Sequence, residues 1–100
     1  MRWCFMTALV RGPSMVPTLR DGDAVLARRG GRGTRPGDVV VARFAARPDL
    51  LVVKRAVRPE AGGWWVQGDN EFASDDSRSF GPAQVQARVL LVWWPSLRRL

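Results

Sequence analysis

Apolar residues along this 100-residue chain fall in short blocks, and clusters of Gly, Pro and Asp separate them. That punctuation predicts strands joined by turns rather than long helices. The predicted strands are Trp3–Arg11, Ala24–Arg28, Asp38–Phe44, Leu50–Arg58, Trp64–Gly68 and Ala87–Trp94, rich in Val, Leu, Phe and Trp. Most lack a clean alternation, as strands covered on both faces do. Only Pro82–Gln86 reads as a turn of helix. Arg20-Asp21-Gly22-Asp23 reads as a turn, Arg29–Gly37 as a flexible basic loop, and Glu60-Ala61-Gly62-Gly63 as a hairpin loop. Gly68–Gly81 is the longest stretch without apolar periodicity; it is acidic and serine-rich, and long structured loops tend to carry function. Pro95–Leu100 reads as a tail. The expected architecture is all-β, a small coiled antiparallel sheet or partly closed β-barrel, in one domain spanning 1–100.

Size and composition support this picture. The chain is 46% apolar and 25% charged, the balance of a globular protein. Its most apolar stretch, Trp3–Val10, is interrupted only by Thr7. A membrane span needs roughly 18–20 residues, so no crossing segment is expected. The stretch runs straight into Arg11-Gly12-Pro13 without a small-residue cleavage site, which argues against a signal peptide. A single cysteine, Cys4, excludes an internal disulfide, fits a reducing, cytoplasmic setting, and is expected as a small buried hydrophobe. Net charge is +7. Such an excess suits a nucleic acid, an anionic membrane surface or an acidic partner, and equally a coding preference for arginine.

The chain has no histidine, so Ser-His, Cys-His and His-metal chemistry are excluded together. What remains is a serine held between two prolines, in Gly12-Pro13-Ser14-Met15-Val16-Pro17-Thr18-Leu19, and one lysine, Lys54. A pinned backbone around a hydroxyl is what a nucleophile needs, because attack geometry counts for more than intrinsic reactivity. Lys54 lies in a predicted strand whose Leu50, Val52 and Ala56 share its face. Burial among aliphatics disfavours the ammonium and lowers its pKa, making the neutral amine a competent general base. Arginine cannot do this, since it stays protonated in proteins. All other basic residues here are arginine. A Ser14/Lys54 dyad hydrolase is the expectation. The plainer alternatives are a turn serine and an edge-strand lysine reaching solvent.

Several motifs, in order, carry a resemblance. They are Gly12–Leu19, Pro36-Gly37-Asp38-Val39-Val40, Val53-Lys54-Arg55, Gly68-Asp69-Asn70, Ser74-Asp75-Asp76-Ser77-Arg78 to Gly81, and Val92-Trp93-Trp94-Pro95. Together they resemble the signal peptidase I family of Ser/Lys proteases over nearly the whole chain. The resemblance implies the catalytic-core β fold of that family, with Ser14 as nucleophile and Lys54 as general base. It makes Ser74 the hydroxyl that orients the lysine. Asp76, Arg55 and Arg78 become a charge network fixing the long loop to the base's strand, and Asp69 and Asn70 the loop's structural opening. Many members carry a serine two residues before the nucleophile to help bind the oxyanion. Gly12 stands there and Pro13 has no N–H, which leaves the Ser14 backbone N–H as the donor that can be named. The large insert of the bacterial enzymes is absent, with 14 residues from Lys54 to Gly68, and no membrane anchor is expected. That compactness looks most like the subgroup maturing nickel-type superoxide dismutase, proteases that remove a leader from a precursor.

The implied partner is a precursor polypeptide bound in extended form, without metal or cofactor. The alternatives are a general signal-peptide peptidase at a membrane surface, a protease that cleaves its own chain, and a non-catalytic basic β-barrel binding nucleic acid. For the last, Arg28-Arg29-Gly30-Gly31-Arg32-Gly33 resembles an arginine-glycine RNA-binding segment. No nucleic acid is expected on the peptidase reading. Trp64-Trp65 and Trp93-Trp94 read as half core and half surface, some suited to peripheral contact with a membrane interface.

Overall fold

The computed structural model describes residues 4–73 and 75–100. Among the described residues seven strands and one short helix follow in order: β1 (Phe5–Leu9), β2 (Ala24–Arg29), β3 (Val39–Phe44), β4 (Leu51–Glu60), β5 (Gly63–Gln67), α1 (Ser77–Phe80), β6 (Ala83–Trp94) and β7 (Arg98–Arg99). The class is all-β, as expected. All pairings are antiparallel within one sheet of order β1-β2-β6-β3-β4-β5. Trp64 of β5 also meets Ala83 of β6, so β6, β3, β4 and β5 form a partly closed ring. β1 and β2 extend from the ring as a leaf.

Two cores lie on the two faces of this coiled sheet. Inside the ring are Val40, Ala42, Phe44, Ala56, Val66 and Ala83, with Phe80 tilted onto Phe44 at 5.2 Å between ring centroids. Val25, Ala27, Val39, Val41, Val89 and Val92 form the other core, which Val10, Met15 and Leu19 cover. Because β3 contributes to both, its Val39-Val40-Val41-Ala42 run is buried throughout, the pattern of a strand covered on both faces. Met15 and Leu19 are almost fully buried, so the segment carrying Ser14 is anchored by its own apolar residues.

Three expectations need correction. Pro82–Gln86 is not helical: Ala83 and Val85 continue β6 as partners of Phe44 and Ala42. The turn of helix is Ser77–Phe80, capped by the Asp76 side chain accepting from the Arg78 backbone N–H. The closing residues are not a tail; β7 pairs with Leu91 and Val92. Arg98 donates to the buried Asp23 carboxylate at 3.0 Å and to the Thr18 carbonyl at 3.0 Å, which ties the end of the chain to the serine segment. Cys4 is exposed, because it precedes the edge strand β1 instead of entering the core.

Candidate active site

Ser14 lies on the turn segment between β1 and β2, and its carbonyl is held from the far side of the molecule. The Asn70 backbone N–H donates to the Ser14 carbonyl at 2.8 Å, and Asn70 Nδ2 donates to the Pro13 carbonyl at 3.1 Å. The fit is close: a Cβ at Gly68 would sit 2.6 Å from the Ser14 carbonyl oxygen, so a side chain there would displace the serine. Gly12 takes φ +79°, and its N–H donates to Asp21 Oδ1 at 2.8 Å. Among the described residues the Ser14 N–H makes no backbone hydrogen bond, so it is available to an oxyanion.

Lys54 sits in the middle of β4, opposite Val40 of β3. Val52 and Ala56 share its face, as the strand alternation requires, and both pack in the ring core. The side chain is only 4% exposed. Burial lowers the Lys54 pKa; Asp76 and Asp75 pull it back up and Arg78 pushes it down, with burial prevailing. The free amine is therefore favoured relative to an ordinary lysine.

Ser14 and Lys54 line one groove of about 210 Å³, bounded by Leu9-Val10-Arg11 on one side and Leu50–Val53 on the other. Its walls are two strand edges. Among the described residues β1 pairs only with β2, while β4 before Arg55 pairs only with β3. Both therefore present unpaired backbone groups, the template for an added extended segment.

The charged residues named from the sequence divide into two clusters instead of one network. Asp76 is fully buried and pairs with Arg78, Nη2 to Oδ2 at 2.7 Å. Its Oδ2 also accepts from the Gly68 N–H at 2.9 Å. Burial raises the Asp76 pKa, but the hydrogen bonds from Arg78 and Gly68 outweigh it and hold the carboxyl below its usual range. Arg55 instead grips Asp69 through two parallel bonds, Nε to Oδ1 at 3.0 Å and Nη2 to Oδ2 at 2.6 Å. Thr18 Oγ1 donates to the same Asp69 carboxylate at 2.6 Å. Asp69 thus joins the neighbour of the lysine to the segment of the serine. Arg55 and Thr18 hold its carboxyl low against the opposing effect of burial. Ser74 lies outside the described residues.

Sequence reasoning gave Asp69 only a loop-opening role and missed Thr18 and Ser77. Ser77 is buried, and its Oγ accepts from the Val66 N–H at 2.8 Å, fastening α1 to β5. The Gly-Asp-Asn motif was the signal for Asp69, but its partners lie 14 and 51 residues away. Among the described residues no three His, Cys, Asp or Glu side chains group as a metal site.

A model of the Peptidase S24-like family matches residues 4–90. The chain belongs to the Peptidase S24-like family. Relatives of this S24-like chain include mitochondrial ATP-independent inner membrane protease subunit 1a of Arabidopsis thaliana, 36% identical over 94% of the chain and 73% of the relative. Mitochondrial inner membrane protease subunit 1 of Schizosaccharomyces pombe is 32% identical over 93% of the chain and 76% of the relative. The human subunit 1 is 30% identical over 84% of the chain and 66% of its own length. The chain thus spans between 66% and 76% of these relatives. The resemblance to Ser/Lys peptidases of the signal peptidase type holds at family level. These relatives are named as inner membrane proteases, not for superoxide dismutase maturation.

Proposed function

We propose that this chain is a serine endopeptidase that removes a leader from a precursor polypeptide, with Ser14 as nucleophile and Lys54 as general base. One observation carries the reading: Ser14 and the chain's single lysine line the same groove, and the lysine is buried. In the proposed course the substrate backbone lies extended in the groove, pairing with the free edges of β1 and β4. Neutral Lys54 takes the Ser14 proton as Oγ attacks the scissile carbonyl. The Ser14 N–H stabilises the oxyanion. The ammonium returns its proton to the leaving amine, and the regenerated base activates the water that releases the acyl group. Asp76 with Arg78, and Arg55 with Asp69, position the loop and strand around this pair, with Ser74 orienting the amine.

Ser14→Ala and Lys54→Arg should each lower cleavage by about 10³-fold or more while the fold survives. Wild-type rates in either folded variant would end this assignment. The narrower expectation of a nickel-type superoxide dismutase precursor rests on compactness and the missing insert. The relatives' names support precursors handled beside a membrane. Incubation with both kinds of precursor, read by mass spectrometry, separates the two substrates. The cytoplasmic setting expected from the single cysteine, with peripheral membrane contact, is tested by fractionating cells.

A further inference from the structure

The groove that Ser14 and Lys54 line carries charge of one sign. Leu9 on one wall and Leu50, Leu51, Val52 and Val53 on the other are aliphatic. Lys54 is buried. The remaining charged lining residue is Arg11, which is exposed. Among the described residues no carboxylate lines this space, and none forms an ion pair with Arg11. Beyond Leu50 the adjoining hollow carries Arg47 and Asp49, one charge of each sign, so the uncompensated cation belongs to the groove itself.

The backbone under Arg11 is fixed on both sides. Val10 N–H donates to the Asp23 carbonyl at 2.8 Å, and the Val10 carbonyl accepts from the Gly22 N–H at 2.9 Å. Val10 is itself buried, in the core that holds Met15 and Leu19. On the other side Gly12 N–H donates to Asp21 Oδ1 at 2.8 Å. The Asp21 carboxylate is thus engaged by the backbone of the turn and not by Arg11. A fixed stem leaves less to be ordered when a partner binds.

A polypeptide lying along the β1 edge past Leu9 and Arg11 reaches Ser14 three residues on, at most about 10 Å of extended chain. The planar fork of a guanidinium pairs with a carboxylate through two parallel charge-assisted bonds, which a neutral side chain cannot match. Between aliphatic walls such a pair is screened less than one on an open surface. We infer that Arg11 is a specificity-determining residue. It selects polypeptides with an Asp or Glu side chain within about three residues of the scissile bond, and it disfavours Lys or Arg there. This inference rests on the groove being where the proposed reaction takes its substrate.

The test uses ten-residue peptides of Ala, Val and Ser in which one Asp is moved position by position, each with an Asn counterpart. Cleavage by the full chain is read by mass spectrometry, and binding to the Ser14→Ala variant by calorimetry. At a position within three residues of the cut, the Asp peptide should exceed its Asn counterpart about five- to tenfold in kcat/KM, with the same preference in binding. Arg11→Gln should bring that ratio to one at unchanged Tm, because the side chain is exposed. Arg11→Glu should reverse the preference and favour Lys at the same position. Arg32→Gln, on the loop before β3, removes the same charge elsewhere and should keep the ratio, which separates a local contact from attraction by the net charge of +7. Equal rates for Asp and Asn peptides at every position overturn the inference and leave the roles of Ser14 and Lys54 as proposed. A preference that survives Arg11→Gln, or that Arg32→Gln abolishes equally, also overturns it. Binding that favours Asp through Arg11 without any cleavage supports the inference and sinks the catalytic assignment instead. Neither binding nor cleavage of any peptide overturns both.

Discussion

Lys54 is governed by opposing effects. Burial disfavours its charged form, while the carboxylates of Asp76 and Asp75 favour it, and the net shift is downward. A lysine whose folded pKa is lowered binds fewer protons in the folded state than in the unfolded one. Stability therefore rises with pH between its folded value and the ordinary lysine value, and this group adds no pH dependence below that window. Asp76→Asn removes an attraction on the ammonium and releases Arg78 to repel it. The rise of kcat/KM with pH should then move to lower pH than in the wild type, which a pH–rate profile reads directly. The acidic side has the reverse sign. Asp69 and Asp76 titrate below the usual carboxylate range, so the stability they add is present above about pH 4 and is lost as pH falls through their folded values. Circular dichroism during acid titration should show the transition moving to higher pH in Asp69→Asn. At this scale Ser14 and Lys54 were legible, one from its flanking prolines and the other as the single lysine in an aliphatic block. Asp69 was not, because nothing near it in sequence shows that Thr18 and Arg55 converge on it.

Three elements have to meet to make the site: the serine segment, β4 and the Gly68-Asp69-Asn70 turn. Their junction is one carboxylate held by a planar fork, and an ammonium cannot reproduce two parallel bonds. Arg55→Lys should therefore lower kcat/KM by about tenfold with Lys54 and Ser14 intact, a loss of the size that misplacement causes. An unchanged rate would remove Asp69 from the positioning role. Met15→Ala should cost about 2–5 kcal/mol of stability in denaturant unfolding, because the cavity would open directly beneath the serine. Most strands were legible from their apolar blocks. The start of β6 was not: Pro82 and two glutamines read as a helical turn, whereas pairing with β3 on one side and closure against β5 make it a strand. Local preference lost there to tertiary pairing.

At the scale of the whole molecule, the ring and leaf share β6, and the last residues lock the leaf to the serine segment. Arg98→Ala leaves the buried Asp23 carboxylate without its cation and frees the Thr18 carbonyl. That should cost about 1–3 kcal/mol by denaturant unfolding. The sequence could not show this, because Pro95-Ser96-Leu97 looks like the end of the fold and the partner of Arg98 lies 75 residues away. Having a single lysine also makes the central claim measurable in isolation. Selective ¹³C labelling of lysine gives one side-chain resonance, which can be titrated in the full protein. The account predicts a midpoint well below the ordinary lysine range, coinciding with the pH at which kcat/KM rises. A midpoint at the ordinary value, with activity rising independently of it, would contradict the assignment of Lys54 as the base.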